Sequence, residues 1–259
     1  MAFGTPTNRG TTQSKTANQA SFVLNTSSAI PLGELAIIII AVDNNSAVNE
    51  DEGAVTSVTD PQGNTWAKAL EWCAPGGGAQ LGATVSVWYS TITTEIPSAT
   101  LITVNLSNSA SRDASAATVR SCTRDTGKTI AIEQTASVTT VSGTDPEPIS
   151  LSGMPSQEYL LVHGMAAEGP NTDAYTWDAD YTQFSANGTT GGGAATNMHV
   201  RGGHRVATLT GDTVDVTSTT ADRDCSQVLI AFEEVAAAPT NPPIPPVNAG
   251  FATARAASY

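Results

Sequence analysis

The chain has 259 residues, enough to bury a sizeable apolar core, and its three cysteines do not form a disulfide framework. Its formal net charge is −13, so it repels phosphate backbones and we expect no nucleic-acid partner. Threonine, serine, alanine and glycine replace most charged residues, and no stretch keeps a sustained helical spacing of apolar positions. Small and β-branched residues favour pleated sheets, so the composition predicts an all-β fold.

Residues 1–19 are polar and are predicted to form an extended N-terminal arm. They lack the charged and apolar regions of a signal peptide, and the longest apolar run, Leu35–Val42, is too short to cross a bilayer. We therefore expect no membrane partner. A virion protein, assembled in the host cytoplasm and released by lysis, fits this combination of features. A chain with a missing start, or another secretion route, would fit it too.

The pattern becomes strand-like from Ser21 onward. Leu35–Val42 predicts a central strand that is buried on both faces. Residues 60–64, Asp-Pro-Gln-Gly-Asn, predict a tight turn because proline presets φ and glycine accepts a positive φ. Trp66 follows and is expected to pack on the sheet. Further strands of this half are predicted at 84–90, 101–106 and 114–122.

The second part of the chain repeats this order of features. Four features recur in the same order: an acidic residue before an apolar run, an acidic loop, a tryptophan after a turn, and a glycine loop. We predict a body over residues 20–235 with two similar halves, about 21–130 and 145–235. The simplest packing is one antiparallel β-sandwich of jelly-roll type, and two separate small sandwiches are the alternative.

Residues 236–259 change character and are predicted to be a proline-rich linker followed by a C-terminal arm. Dense prolines between 239 and 246 favour a stiff, extended polyproline spacer. The end of the chain carries Phe251, Arg255 and Tyr259, which we expect to dock on a neighbouring subunit. A tail without fixed structure is the alternative.

The sequence offers little catalytic chemistry. His163, His199 and His204 match no zinc pattern, and His163 is expected to be hydrogen-bonded in the core or at its rim. No nucleophile elbow and no phosphate-binding loop occur. Glycan hydrolysis needs two facing carboxylates, and the acids between 168 and 180 are spaced equally well for an exposed loop. We therefore predict that the protein is not an enzyme.

Two binding hypotheses remain open at this point. Asp43, Asp51 and Asp60 lie in loops where hard oxygen ligands suit a structural Ca²⁺ ion, although there is no EF-hand spacing. No other cofactor is expected. The four tryptophans could form a sugar-stacking platform, or they could be buried beside turns. They are Trp66, Trp72, Trp88 and Trp177.

Several of these motifs together resemble a group of mostly uncharacterised β-sandwich proteins from tailed phages, prophages and bacteria. The resemblance covers about residues 20–235, and its motifs are Gly33-Glu34-Leu35 with the apolar run, Val58–Trp66, Val85–Tyr89, Trp177–Thr182 and Val228–Phe232. It carries no catalytic residue. It implies a virion part such as a head decoration, head fibre or tail fibre protein, and the step from fold to role is an analogy.

The same resemblance implies a homo-oligomer, often a trimer on capsids, that contacts other virion proteins such as the major capsid protein. A carbohydrate-binding module or adhesin, which would bind host-surface glycans, is the alternative function. A glycan-active hydrolase is a third reading.

Overall fold

A computed structural model describes residues 3–16, 18–43, 50–51, 53–78, 81–107, 114–143, 145–191, 196–218 and 223–237. The chain is all-β, and its strands pair antiparallel in several sheets. Across these ranges, no helix has the length and apolar character needed to span a bilayer.

The first half of the chain builds two sheets. The larger has five strands in the order β1-β8-β3-β6-β5, and the smaller has three in the order β2-β7-β4. The strands are β1 (Thr7–Ser14), β2 (Ser21–Asn25), β3 (Leu35–Asp43), β4 (Val55–Thr59), β5 (Ala67–Gly78), β6 (Leu81–Thr91), β7 (Leu101–Leu106) and β8 (Ser115–Cys122).

The second half also builds a large and a small sheet. The larger has the order β12-β14-β10-β16-β9, with β13 also paired to β14, and the smaller pairs β11 with β15. The strands are β9 (Lys128–Gly143), β10 (Ile149–Glu168), β11 (Tyr175–Trp177), β12 (Thr182–Gln183), β13 (Asn187–Gly188), β14 (Met198–Val214), β15 (Val216–Ser218) and β16 (Arg223–Ala236).

The two large sheets have corresponding strand orders. Counted from the corresponding edge, the first large sheet has the order β1-β8-β3-β6-β5 and the second has the order β9-β16-β10-β14-β12. Each strand of the first sheet thus has a counterpart at the same position of the second. The small sheets correspond in part, since β11 pairs with β15 where β4 pairs with β7, but no described strand of the second half takes the position of β2. The order of strand pairing therefore repeats along the chain.

Both central strands are buried on two faces. Ile37 and Ile39 of β3 share one apolar core with Leu160 and Val162 of β10, so this core joins the two large sheets. The alternate residues of β3, such as Ile38, pack toward the three-stranded sheet. Those of β10 pack toward β11 and β15. Every residue of β3 is buried, which confirms the sequence prediction for Leu35–Val42.

The N-terminal segment is a strand of the first large sheet rather than an extended arm. Thr7–Ser14 pairs with β8 through seven residue pairs, and Phe3 is buried in the core that joins the large sheets. The Gly4 amide donates a hydrogen bond to the Thr123 carbonyl at 2.9 Å. The predicted arm over residues 1–19 is corrected here, because the open edge of β8 pairs with this backbone.

Strand β16 runs to Ala236, the residue at which the proline-rich linker was predicted to begin. The predicted docking residues Phe251, Arg255 and Tyr259 lie outside the described residues.

Candidate functional site

A cleft of about 660 Å³ opens where the two halves meet. Its volume falls in the range of small-molecule sites. Its walls come from the segment before β1, the end of β8, the turn before β12 and the middle of β14. The lining residues are Phe3, Gly4, Thr5, Thr123, Asp180, Thr182, His204, Arg205, Val206 and Ala207.

Local sequence explains how the second half forms its wall. A turn closes with the Tyr181 amide donating to the Asp178 carbonyl, and β12 then pairs Thr182 with His204 of β14. Arg205 follows and forms ion pairs with Asp180 at 3.0 Å and with Asp212 at 2.9 Å. The positive charge of Arg205 is therefore balanced by two aspartates.

An arginine, a phenylalanine and a histidine pack together beside this cleft. The Arg120 guanidinium lies over the Phe184 ring, 4.4 Å from its centroid. The His204 ring stacks on the same phenylalanine, with centroids 5.4 Å apart and an angle of 19° between the planes. Arg120 belongs to the first half and the other two residues to the second. The group therefore bridges the halves.

Hydrogen-bonding groups in this trio are left without partners. Nε and Nη2 of Arg120 and Nδ1 of His204 are shielded from water, and no acceptor or donor among the described residues reaches them. Burial lowers the pKa of Arg120. Burial, followed by the charge of Arg120, lowers the pKa of His204 to about 4, although a hydrogen bond with the Thr182 backbone acts in the opposite direction. His204 is therefore neutral near pH 7, and Arg120 carries the charge.

The other two histidines lie in separate buried environments. His163 bonds Trp177 and Gln227, at 2.9 and 3.0 Å. This places it in the core, one of the two locations expected for it. His199 bonds the Gly169 carbonyl through Nδ1 at 3.1 Å. In the ranges that the structure covers, no three histidine, cysteine or acidic side chains are grouped to hold a metal ion.

The three predicted calcium ligands are each engaged by different partners. The Asp43 carboxylate accepts the Ala114 amide, and Asp51 forms an ion pair with Lys68 at 2.9 Å. Asp60 accepts the Gln62 amide and the Trp66 indole N–H, at 2.9 and 2.8 Å. The structure does not bring these carboxylates together around one point.

The acids considered for glycan hydrolysis are also dispersed. Glu168 accepts the Gly82 amide at 2.6 Å, Asp173 pairs with Arg223, and Asp178 accepts the Asp215 amide. Asp180 is the one acid among the residues that line the cleft, and Arg205 binds it. The cleft therefore lacks the facing carboxylate pair that glycoside hydrolysis uses.

The tryptophans do not form a stacking platform. Trp66, Trp88 and Trp177 are buried, and Trp72 is half-buried against the core that joins the large sheets. A carbohydrate-binding module that stacks sugars on exposed tryptophans requires the opposite arrangement.

Sequence reasoning missed Arg120 and Phe184. Arg120 interrupts a strand of small and apolar residues, and it shares a face with Ala116 and Cys122, which are core residues. A charged residue at a core-facing position of a strand is unusual, and this was the sequence signal that could have identified Arg120. The role of Phe184 had no comparable signal, because its partners come from distant parts of the chain.

No protein family, curated protein or solved structure matches this chain.

Proposed function

We propose that the protein is a non-enzymatic structural component of a tailed-phage particle, as a head decoration, head fibre or tail fibre protein. The observation that carries this proposal is the repeated strand order. In the first half, the first strand lies beside the eighth and the second beside the seventh. This order supports the interpretation of the half as a jelly roll, a fold used by viral capsid proteins and by lectins.

We read each half as one jelly roll, with the two packed face to face through their large sheets. One departure from the jelly-roll arrangement is that β5 pairs with β6 and joins the large sheet. The second half follows this plan in part, with shorter strands β11, β12 and β15 and, among the described residues, no counterpart of β2. A body with three apolar cores is a rigid unit, which suits display on a particle surface.

The proposed role needs contacts between subunits. The resemblance to phage β-sandwich proteins supports a homo-oligomer, such as a trimer, that attaches to other virion proteins. We assign attachment to residues 236–259, with Phe251, Arg255 and Tyr259 as docking residues, and we expect the protein to be found in the virion.

Purified particles from the source organism test this function directly. Mass spectrometry is expected to detect the chain in particles, whereas its absence from them would rule out the virion role. A chain that ends at residue 237 is expected to keep its circular-dichroism spectrum and melting temperature but to lose incorporation. Incorporation at the level of the full chain would refute the attachment role of the C-terminal residues.

A glycan-binding protein is the second candidate, and the cleft favours it. Jelly rolls also serve as lectins, and the cleft offers threonine hydroxyls from both halves and charged groups from the second half. Exposed tryptophans do not contribute here, so sugar recognition would depend on polar contacts. A glycan array distinguishes the two candidates, because a purely structural protein gives no saturable signal.

A further inference from the structure

Part of strand β14 has an edge without a partner strand, and this edge lines the cleft. On one side, β14 pairs with β10 along almost its whole length. On the other side, the short strands β12 and β13 pair with it, and Thr182 of β12 lies opposite His204. Beyond His204, no strand of the described ranges pairs with this side of β14. Val206 and Ala207 line the cleft, which therefore gives access to an open edge of the sheet.

The backbone groups that face this edge can be assigned from the pairing. The Phe184 amide donates to the Gly202 carbonyl at 2.8 Å, so Gly202 points its carbonyl away from β10. Backbone groups alternate between the two sides of an antiparallel strand. The pairing of β14 with β10 has no bulge from residue 198 to residue 209. The N–H and C=O groups of Val206 and Thr208 therefore point to the open edge.

An extended peptide is the ligand that such an edge recognises. Main-chain hydrogen bonds attach the added strand, and pockets beside the edge select its alternate side chains. The cleft supplies such a pocket, with a volume of about 660 Å³ and with walls from both halves. Its walls include the half-buried side chain of Val206. The cleft therefore suits an extended segment in which every second side chain is small.

The C-terminal end of this chain has such a pattern. In residues 247–259, the side chains at odd positions include Val247, Phe251, Arg255 and Tyr259. The even positions hold asparagine, glycine, alanine and serine. Alternate residues of a strand lie on opposite faces, so an extended segment would present its large side chains on one face. The segment contains no proline, so every residue has an N–H group to donate.

The chain leaves the described body beside the cleft. Ala236, the last residue of β16, pairs with Lys128 of β9. Glu234 accepts the Asp125 amide at 2.6 Å, and Thr123, two residues before Asp125, forms one wall of the cleft. The proline-rich linker that follows favours an extended spacer of about 3 Å per residue. A stiff spacer carries the segment away from its own cleft and toward that of a neighbouring copy.

The charges of the segment and the cleft are complementary. Arg205 pairs with both Asp180 and Asp212, so this group of three side chains carries a net negative charge. The Asp180 side chain is 66% exposed and can accept a further cation. Arg255 is the one charged side chain of residues 238–259, whereas the chain as a whole has a net charge of −13. The segment is therefore attracted to an acidic body.

We propose that residues 247–259 of one copy add as a strand to the open edge of β14 in a neighbouring copy, with Phe251 facing the cleft. This proposal rests on the attachment role proposed for residues 236–259, and it names the surface that receives them. Each copy would give a segment to one neighbour and receive one from another. Such a contact closes into a ring, for example a trimer, when the rotation between copies allows it.

Photocrosslinking in the full chain tests the contact. A benzophenone-bearing phenylalanine analogue is introduced at residue 251, and isotope-labelled and unlabelled chains are refolded together. Crosslinks from residue 251 are expected to reach residues 205–209 or residues 3–5. Mass spectrometry should find a share of them between one labelled and one unlabelled chain. Crosslinks that form only within a chain, or that reach other strands and not the cleft, would overturn the proposal.

Variants at Thr208 test the strand addition itself. Thr208→Pro removes an N–H group that faces the open edge and keeps the hydrogen bonds to β10, since proline is tolerated at such edge positions. Its self-association, measured by analytical ultracentrifugation, is expected to weaken about tenfold. Thr208→Val is the matched control, because it keeps the N–H group and changes only an exposed side chain. Association of Thr208→Pro that equals that of the wild type would refute the strand addition. If Thr208→Pro does not fold, the crosslinks from residue 251 decide the question.

The analysis of particles separates this docking site from the virion role. If particles contain the chain but the crosslinks miss the cleft, the docking site is wrong and the virion role stands. If the crosslinks form as expected but particles lack the chain, the docking site stands and the virion role is wrong.

Discussion

Trp177 donates its indole N–H to Nδ1 of His163 across 2.9 Å, and both residues are buried. Since Nδ1 accepts, the proton of the neutral imidazole resides on Nε2, which donates to the Gln227 side-chain oxygen at 3.0 Å. Gln227 in turn donates to the Glu147 carbonyl. The chain of bonds ties the small sheet of the second half, through β11, to strands β10 and β16.

Substitution of Trp177 by phenylalanine should destabilise the protein. The variant removes the indole N–H and leaves a buried imidazole acceptor without a partner, which typically costs about 1–3 kcal/mol beyond the lost packing. Urea unfolding measures the effect. Trp72→Phe is the matched control, because Trp72 is half-buried and no hydrogen bond of its indole is described. Equal losses in the two variants would contradict a role for the bond to His163.

Stability should fall as the pH is lowered from neutral. Burial is the main cause that lowers the pKa of His163, His199 and His204 from 6.5 to about 4. Between these values the unfolded chain binds more protons than the folded one, so the free energy of unfolding falls as the pH drops from 6.5 toward 4. The two most deeply buried, His163 and His199, each contribute about 1 kcal/mol per pH unit to this loss.

Two glutamates act in the opposite direction. Burial raises the pKa of Glu71 and Glu168 in the folded protein, so their contribution is lost as the pH rises. The net effect is measured as the free energy of unfolding at pH 7 and at about pH 5. We expect a lower value at the acid end, and a smaller dependence on pH in His163→Gln. A flat profile in the wild type would contradict this prediction.

Gly202 lies close to the backbone of a neighbouring strand and to the core, and its replacement by alanine should be costly. A Cβ atom there would lie 2.5 Å from the His163 carbonyl oxygen and 2.8 Å from Ile39. Because the first neighbour is backbone of the paired strand, we expect a loss of about 1–3 kcal/mol. Thermal unfolding measures it against Gly127→Ala, where the neighbour is the Asp125 side chain at 3.3 Å. Similar stability of the two variants would show that the sheets can move apart.

Replacement of Arg120 by methionine should stabilise the protein or leave its stability unchanged in the absence of ligand. Methionine fills the space between the halves without an unsatisfied buried charge, and comparable replacements gain about 1–4 kcal/mol. Urea unfolding checks the result, with Arg9→Met as the control. Arg9 has an ion pair with Glu34 at 3.0 Å, so its loss should destabilise the protein. Strong destabilisation by Arg120→Met would mean that the protein itself satisfies this charge.

Removal of calcium should leave the melting temperature unchanged. Asp43, Asp51 and Asp60 already accept hydrogen bonds or ion pairs from separate donors. Differential scanning calorimetry with and without excess chelator measures the effect. A drop in melting temperature that added Ca²⁺ reverses would restore the original hypothesis of a structural ion.

Local features of the fold could be predicted from the sequence. The apolar run at Leu35–Val42 is long enough to specify a strand buried on both faces. The turn at residues 60–64 is specified by Pro61 and Gly63, and Gly63 adopts a φ of 75° while its amide bonds the Asp60 carbonyl. In both cases the information lies within a few neighbouring residues.

Features that depend on distant segments could not be predicted in this way. The N-terminal residues were expected to be an arm because they are polar, but pairing with β8 involves backbone groups that every residue carries. The contact of Arg120 with Phe184 depends on how the two large sheets are stacked. A single sequence gives the order of strands only weakly and their stacking hardly at all.

The apolar core between the large sheets determines how the protein unfolds. If the halves separated, each would expose the apolar face of its large sheet to water, including Ile39 in the first half and Val162 in the second. Parting the halves is therefore expected to coincide with global unfolding in one cooperative transition. A ligand bound in the cleft would contact both halves. It would therefore stabilise the folded chain and raise its melting temperature as its concentration increases.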